Sequence, residues 1–368
     1  MLHTDNLHEF TVKGYGATGD LIGGKTLQPI EIGRNKPKQD EVLIEVLYCG
    51  VCHSDLHQVH NDWKNTIYPC VPGHEVIGRV TEIGNAITKV TVGDIVGVGC
   101  MIDSCMQCKS CEQGDEQLCT GPVRMTMTYN GHFKPDPKAP EFNTFGGYST
   151  HIVSKEHFVL KIPNGLKVSA AAPILCAGVT TYGPLKYRGV KAGDKVGIVG
   201  IGGLGHMGVM IAKAMGSEVV AISTQEGKRA AALELGADSV LISEDKEAMK
   251  AHEVSFDFIL VTIPYPFDVN PYINLLAPRG SLVTVGLLGP YQNATNNMEV
   301  AGFSRSVGGS IIGSIAETQE VLNFCNEHGI LPEVEMIKIQ DVNEAFKKLK
   351  DEEVRFRYVI DMISLKNE

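Results

Sequence analysis

Cys52-His53-Ser54-Asp55 and, two dozen residues on, Gly73-His74-Glu75 bring a thiol, an imidazole and carboxylates into one short stretch. Borderline-soft Zn²⁺ prefers such a mixed sulfur, nitrogen and oxygen set. Two short motifs on separate turns can close on one ion and leave neighbouring hydroxyl and carboxylate groups to orient its ligands. The bland alternative is a buried cysteine and a chance Gly-His-Glu turn, and this stretch alone does not choose between them. A second set is more specific. Cys105, Cys108, Cys111 and Cys119 follow the pattern Cys-x-x-Cys-x-x-Cys-x7-Cys, which can wrap one tetrahedral ion in a closed lobe. Iron–sulfur ligation is the rival, but ferredoxin runs end in Cys-Pro, and here Cys119 is followed by Thr120-Gly121. The pattern favours structural zinc, with no open position for a reactant.

A third set is chemical through its backbone. Gly200-Ile201-Gly202-Gly203-Leu204-Gly205 has the glycine spacing that lets a tight turn approach a dinucleotide pyrophosphate at a helix N-terminus. It follows the expected strand Lys195 to Val199 and opens an expected helix reaching Ala214, which is the context the motif requires. An NAD enzyme places an acid on the ribose diol about 20 residues on. After Ile222 this chain instead has Ser223-Thr224-Gln225-Glu226-Gly227-Lys228-Arg229. Two hydroxyls and a cation suit a 2′-phosphate, which points to NADP(H). Glu226 stands close enough to serve a diol instead, and Lys228 and Arg229 could simply face solvent.

These motifs need two kinds of framework. Residues 11 to 50 have the pattern of short strands, with period-two alternation from Glu41 to Leu47, and β-rich runs recur at Val76 to Val80 and Asp94 to Val98. This first third is expected to be β-rich and barrel-like. Pro135, Pro137 and Pro140 mark an exposed loop. From Lys167 the character changes. Ser169 to Tyr182 is expected to be partly helical, and a helix is expected from Lys228 to Leu235. Strands are expected at Val219 to Ile222, Ser239 to Ile242, Phe256 to Val261, Ser281 to Val285 and Ser310 to Gly313. Strands alternating with helices imply parallel βαβ units. Beyond Ile315, two helices around a strand at Met336 to Ile339 are expected to pack back on the first region.

The 368 residues allow about two domains. A net charge of −10 argues against a nucleic-acid binder. Met1 to Phe10 lacks the basic start and apolar run of a signal peptide, and no stretch approaches a membrane span. A cytoplasmic protein with no membrane partner is therefore expected, its ten cysteines serving as metal ligands and free thiols rather than disulfides.

Taken in order, Gly50 to Asp55, Pro72 to Glu75, the four-cysteine lobe, Cys176-Ala177-Gly178 and Gly200 to Gly208 resemble the zinc-dependent medium-chain alcohol dehydrogenases over nearly the whole chain. The likeness is to the cinnamyl alcohol dehydrogenase branch and its NADP-dependent aldehyde reductases. It implies an α/β protein: a GroES-like β-rich catalytic domain, residues 1–168 and 314–368, plus a Rossmann doubly wound parallel sheet, residues 169–313. It implies two zinc ions. Cys52, His74 and Cys176 would hold the catalytic one, the Cys₂His set known for alcohol dehydrogenases, with Glu75 able to replace the bound water. Asp55 would fix the His74 tautomer, Ser54 and His57 would relay the proton, and Trp63 would wall the substrate pocket. His53 would face the cofactor pyrophosphate and Thr180 the nicotinamide. Gly200, Gly202, Gly203, Leu204, Gly205, Ser223, Thr224, Lys228, Val285 and Gly286 complete the expected NADP(H) contacts. Cys49, Cys70, Cys100 and Cys325 are left as packing residues.

The implied activity is hydride transfer between NADP(H) and primary alcohols or aldehydes, with aldehyde reduction the cellular direction. A homodimer through edge strands of the cofactor domain is also implied. The competing readings are an NAD-dependent zinc polyol or formaldehyde dehydrogenase and a non-catalytic, zinc-stabilised binding protein. Ser223-Thr224 in place of an acid argues against the first, and Ser54 with His57 against the second.

Overall fold

The computed structural model describes residues 9–19, 21, 26–122, 124–133, 142–286, 289–350 and 357–366. The proline segment at 135–140 lies outside the described residues. Internal contacts divide the chain into two compact units: residues 1–176, 314–322 and 333–368, and residues 177–313 with 323–332. The chain passes between them within the helix Ile315–Glu327 as well as at Cys176. No single described helix is long and apolar enough to cross a membrane.

The first unit is built on a seven-stranded sheet around the strand Glu41–Val51. This strand is long enough to take His151–Lys155 along its first half and Arg357–Asp361 along its second, with Val76–Ile83 on its other edge. Its buried face (Val42, Ile44, Val46, Cys49, Val51) joins Val76, Val80, Val96 and Ile360 in one apolar core. Non-local burial of this kind contributes about 1.5–3 kcal/mol per large side chain. The tail thus returns to the first unit as a central strand, Arg357–Asp361, which the mixed sequence Arg-Tyr-Val-Ile-Asp did not advertise.

The second unit is a six-stranded sheet, every adjacent pair parallel. Its order is Ser239–Ile242, Glu218–Ser223, Lys195–Val199, Phe256–Val261, Leu276–Thr284, Ser306–Gly309. Strand order therefore reverses between Lys195–Val199 and Phe256–Val261, where such sheets bind nucleotides at the strands' carboxyl ends. The last strand corrects the expectation at Ser310 to Gly313. Ser306 to Gly309 pairs with Ser281 to Thr284, and the chain then leaves the ladder, reaching a φ of 38° at Ile312. The apolar pair Ile311-Ile312 imitated a strand that the backbone does not form.

Candidate active site

Two ligand-bearing motifs meet because they sit at neighbouring ends of one antiparallel pair. Cys49 is opposite Val76, and the Gly50 N–H donates to the Glu75 carbonyl at 3.0 Å. One strand runs out into Cys52, which precedes the short helix His53–Val59, and the other begins just after Glu75. Gly73 turns the chain into His74 with a φ of +102°, a conformation that side chains rarely adopt. Cys176 arrives from far along the sequence, at the end of the 3₁₀ turn Ala172–Leu175.

Cys52, His74, Glu75 and Cys176 are all buried, and one ligand atom from each lies within 4.8 Å of the others. His74 Nε2 is 3.3 Å from Cys176 Sγ, while Nδ1 is 3.1 Å from Asp55 Oδ1. A carboxylate on Nδ1 fixes the tautomer whose Nε2 lone pair is free for a metal. Bonding from Cys176 favours the Cys52 thiolate, against burial and with help from Arg357 and His74. Burial pushes Glu75 up to about 7 against the pull of Arg357. These donors fit a zinc ion.

Asp55 is wholly buried and accepts the Cys52 N–H at 2.9 Å and the Gly73 N–H at 3.0 Å, so one carboxylate ties both ligand segments together. Burial, then the Asp55 charge, raises the pKa of Tyr129 and of Tyr148 well above the ordinary phenol value, so both remain protonated beside it.

Sequence reasoning did not foresee Arg357. Its Nη2 lies 2.9 Å from Glu75 Oε1, with both side chains buried. Burial alone would lower this guanidinium, but Glu75, followed by Cys52 and Cys176, raises it. A lone arginine in the tail carries no local signal, and only the return of strand Arg357–Asp361 beside Glu41–Val51 brings it there. Asp62 was also missed: its carboxylate is 2.7 Å from His57 Nδ1. Ser54 and His57 sit three residues apart on one helix, hence on one face. Trp63 lies beside His57, ring centroids 5.6 Å apart. His53 is half-buried, and burial lowers its pKa.

In the four-cysteine lobe, Cys108 Sγ is 3.5 Å and Cys105 Sγ 3.9 Å from Cys111 Sγ. Zinc–sulfur bonds of about 2.3 Å in a tetrahedron give sulfur–sulfur edges of about 3.8 Å, and disulfides would need about 2.05 Å. Backbone N–H groups of Cys105, Cys108 and Thr120 point at Cys119, Cys105 and Cys108 sulfurs. N–H groups of Cys111 and Thr120 bring Cys108 down to about 5. The lobe fits a closed tetrahedral site.

In the second unit, Gly200 adopts a φ of +87° at the carboxyl end of Lys195–Val199, and a Cβ on Gly205 would fall 1.8 Å from the Gly200 carbonyl. The turn can therefore close tightly onto the helix Gly205–Ala214. Gly202 faces open space, and Gly203 and Leu204 complete the turn. Thr180 Oγ1 is buried without a hydrogen-bond partner, a hydroxyl left for a ligand to satisfy. Val285 is buried, its N–H on the Val261 carbonyl, and Gly286 follows it beside Ile263. Arg229 grips Glu226, with Nη2 at 2.9 Å, and also donates to the Val240 carbonyl. Glu226, the acid that could serve a ribose diol, is thus paired with Arg229 at the surface. Ser223 closes its own turn, accepting the Gln225 N–H at 3.1 Å, Thr224 is exposed, and Lys228 is half-buried.

Residues 38–164 match the alcohol dehydrogenase GroES-like domain, and residues 203–327 match the zinc-binding dehydrogenase domain. The aldehyde reductase YahK of Escherichia coli is 46% identical over 346 residues, 94% of this chain and 97% of that protein. Among solved structures, a cinnamyl alcohol dehydrogenase from Sorghum bicolor is similar at a TM-score of 0.90 and 40% identity, covering 96% of this chain and 98% of that one. A CAD from Helicobacter pylori, complexed with NADP(H), has a TM-score of 0.86 and 38% identity, with coverage of 96% and 98%.

Proposed function

The chain belongs to the zinc-dependent medium-chain alcohol dehydrogenases, and from that premise we propose that it reduces aldehydes with NADPH and, in reverse, oxidises primary alcohols with NADP⁺. The observation that carries this reading is the buried group Cys52, His74 and Cys176, with Asp55 on the far side of the His74 ring. These three residues would hold the catalytic zinc, Glu75 stands beside them as an exchangeable ligand, and Cys105, Cys108, Cys111 and Cys119 would hold a second, structural ion. Bound zinc supplies Lewis acidity toward a carbonyl oxygen, and the nicotinamide supplies the hydride.

The chain's own residues orient reactants and carry the proton. Asp55 keeps Nδ1 of His74 protonated and so leaves Nε2, on the Cys176 side, for the ion these residues would hold. Asp62 holds His57 Nδ1, and Nε2, buried and without a hydrogen-bond partner, would be the outer proton acceptor of a relay whose inner group is the Ser54 hydroxyl, a ribose hydroxyl of the bound cofactor standing between them. Trp63 packs on that histidine as a wall for substrate. The glycine turn and Thr180 would hold the cofactor, and His53 would meet its pyrophosphate. Preference for NADP(H) rests on Lys228 and the Ser223-Thr224 hydroxyls together with the capture of Glu226 by Arg229. A homodimer through the edge strand Ser306–Gly309 is supported by exposed Met298 and Phe303 in the preceding segment, and light scattering would test it.

The deciding experiment is an aldehyde panel run with NADPH and with NADH, alongside a zinc count per chain. We expect two zinc equivalents and a higher kcat/KM with NADPH. A higher value with NADH would overturn the cofactor assignment, and absence of turnover with either would overturn the activity.

A further inference from the structure

We infer that Tyr129 and Tyr148 are positioning residues for the catalytic metal: their hydroxyls hold Asp55, and Asp55 holds His74 with Nε2 turned toward Cys52 and Cys176. This rests on the zinc reading given above. A carboxylate with no exposed surface is costly to bury unless its oxygens are fully hydrogen-bonded. Three donors reach Asp55 from the ligand segments themselves: the Cys52 N–H, the Gly73 N–H and His74 Nδ1. The two phenols come from two further stretches, Tyr129 just after the strand Thr126–Met127 and Tyr148 just ahead of the strand His151–Lys155. Tyr148 Oη lies 3.5 Å from Asp55 Oδ2, and the Tyr129 ring stands 5.6 Å from that of His74, close enough that the Asp55 charge, after burial, raises its pKa. Both tyrosines are buried.

The stretch that carries Tyr148 also braces the turn that presents His74. The Gly146, Gly147 and Tyr148 N–H groups donate to the Val71, Gly73 and Pro72 carbonyls at 2.7, 2.8 and 3.0 Å. A phenylalanine would fill the same volume and keep those backbone bonds. Only the hydroxyl distinguishes the two residues here, and it acts on the carboxylate. With fewer donors, Asp55 is freer to turn and holds the imidazole less firmly, so the metal should leave sooner.

The test is zinc release to an excess chromophoric chelator, followed over time in wild type, Tyr129→Phe, Tyr148→Phe and each of these with Asp55→Asn. We expect one of the two zinc equivalents to leave about 10-fold faster in the tyrosine variants, within the range typical of residues that orient a ligand. The other equivalent, in the four-cysteine lobe, should leave at the wild-type rate, and the unfolding midpoint should stay close to wild type. In the Asp55→Asn background the tyrosine changes should add less than about twofold, since residues acting through one partner are not additive. Release at wild-type rates from both tyrosine variants would overturn the inference, as would full multiplication of the tyrosine and Asp55 effects. Wild type carrying fewer than two zinc ions would instead bring down the metal reading itself. The two tyrosines give independent removals of one hydroxyl each, so either variant carries the comparison alone.

Discussion

The lobe from Cys105 to Cys119 takes four sulfurs from one short run and steadies them with backbone N–H groups, whereas the Cys52 site gathers its ligands from three separated segments around a buried carboxylate. Neighbouring cysteines on a tight loop need little help from the rest of the fold, and a site made only of thiolates leaves no position for a reactant. The dispersed site mixes sulfur, nitrogen and oxygen donors and carries a buried Glu75–Arg357 pair beside them. Its geometry is imposed by the sheet, so it can hold groups in an arrangement that short-range structure would not choose. The contrast separates a centre that stabilises from one that reacts.

Substitutions can break that contrast, and the largest effect should come from Cys52→Ser. Loss of a direct ligand should lower kcat/KM by more than the 10- to 100-fold typical of residues that only orient ligands, with NADPH binding by fluorescence titration little changed. Cys108→Ser should do the reverse, removing one zinc equivalent and lowering the melting temperature before it alters chemistry. If Cys108→Ser kept its melting temperature and lost activity outright, the division of labour would be wrong.

Arg357→Ala tests the buried pair. It leaves Glu75 without its countercharge, and breaking such a pair typically costs about 3–5 kcal/mol. Urea unfolding should show that loss, and a second change, Glu75→Gln, should recover much of it. No recovery would mean that Arg357 matters through packing alone.

The smallest effect concerns Glu116, which sits within the lobe's own sequence and ties it to the helix Ile315–Glu327. Its carboxylate is 2.6 Å from His157 Nε2 and accepts the Ile315 N–H at 3.3 Å. Burial alone would raise its pKa, but the His157 bond, with help from backbone N–H groups, sets it below the ordinary glutamate value. A carboxyl lowered on folding stabilises above its unfolded pKa and loses that contribution as pH falls through the lowered one. The melting-temperature gap between wild type and Glu116→Gln should therefore be full near neutrality and close as the medium becomes more acidic than the ordinary carboxylate range. A gap independent of pH would reject the hydrogen bonds to the Glu116 carboxylate as its source.

The sequence by itself determined whatever depends on short separations. The Cys-x-x-Cys spacing placed the lobe, and strand, glycines and helix from Lys195 to Ala214 formed together because each local preference agrees with its neighbours. The alternation in Glu41 to Leu47 likewise marked a strand, though not which strands flank it. Cys176 was legible only through likeness to a family, because nothing near it in the chain distinguishes a ligand from a packed thiol. Arg357, Tyr129 and Tyr148 carried no signal at all, being ordinary residues until the fold sets Arg357 beside Glu75, Tyr148 beside Asp55 and Tyr129 beside His74. Ser310 to Gly313 went wrong for a related reason, since apolar character does not specify which four residues a neighbouring strand will accept. Tertiary structure alone decided these points, because a buried charge takes its partners from whatever the fold brings within about 3 Å, however distant along the chain.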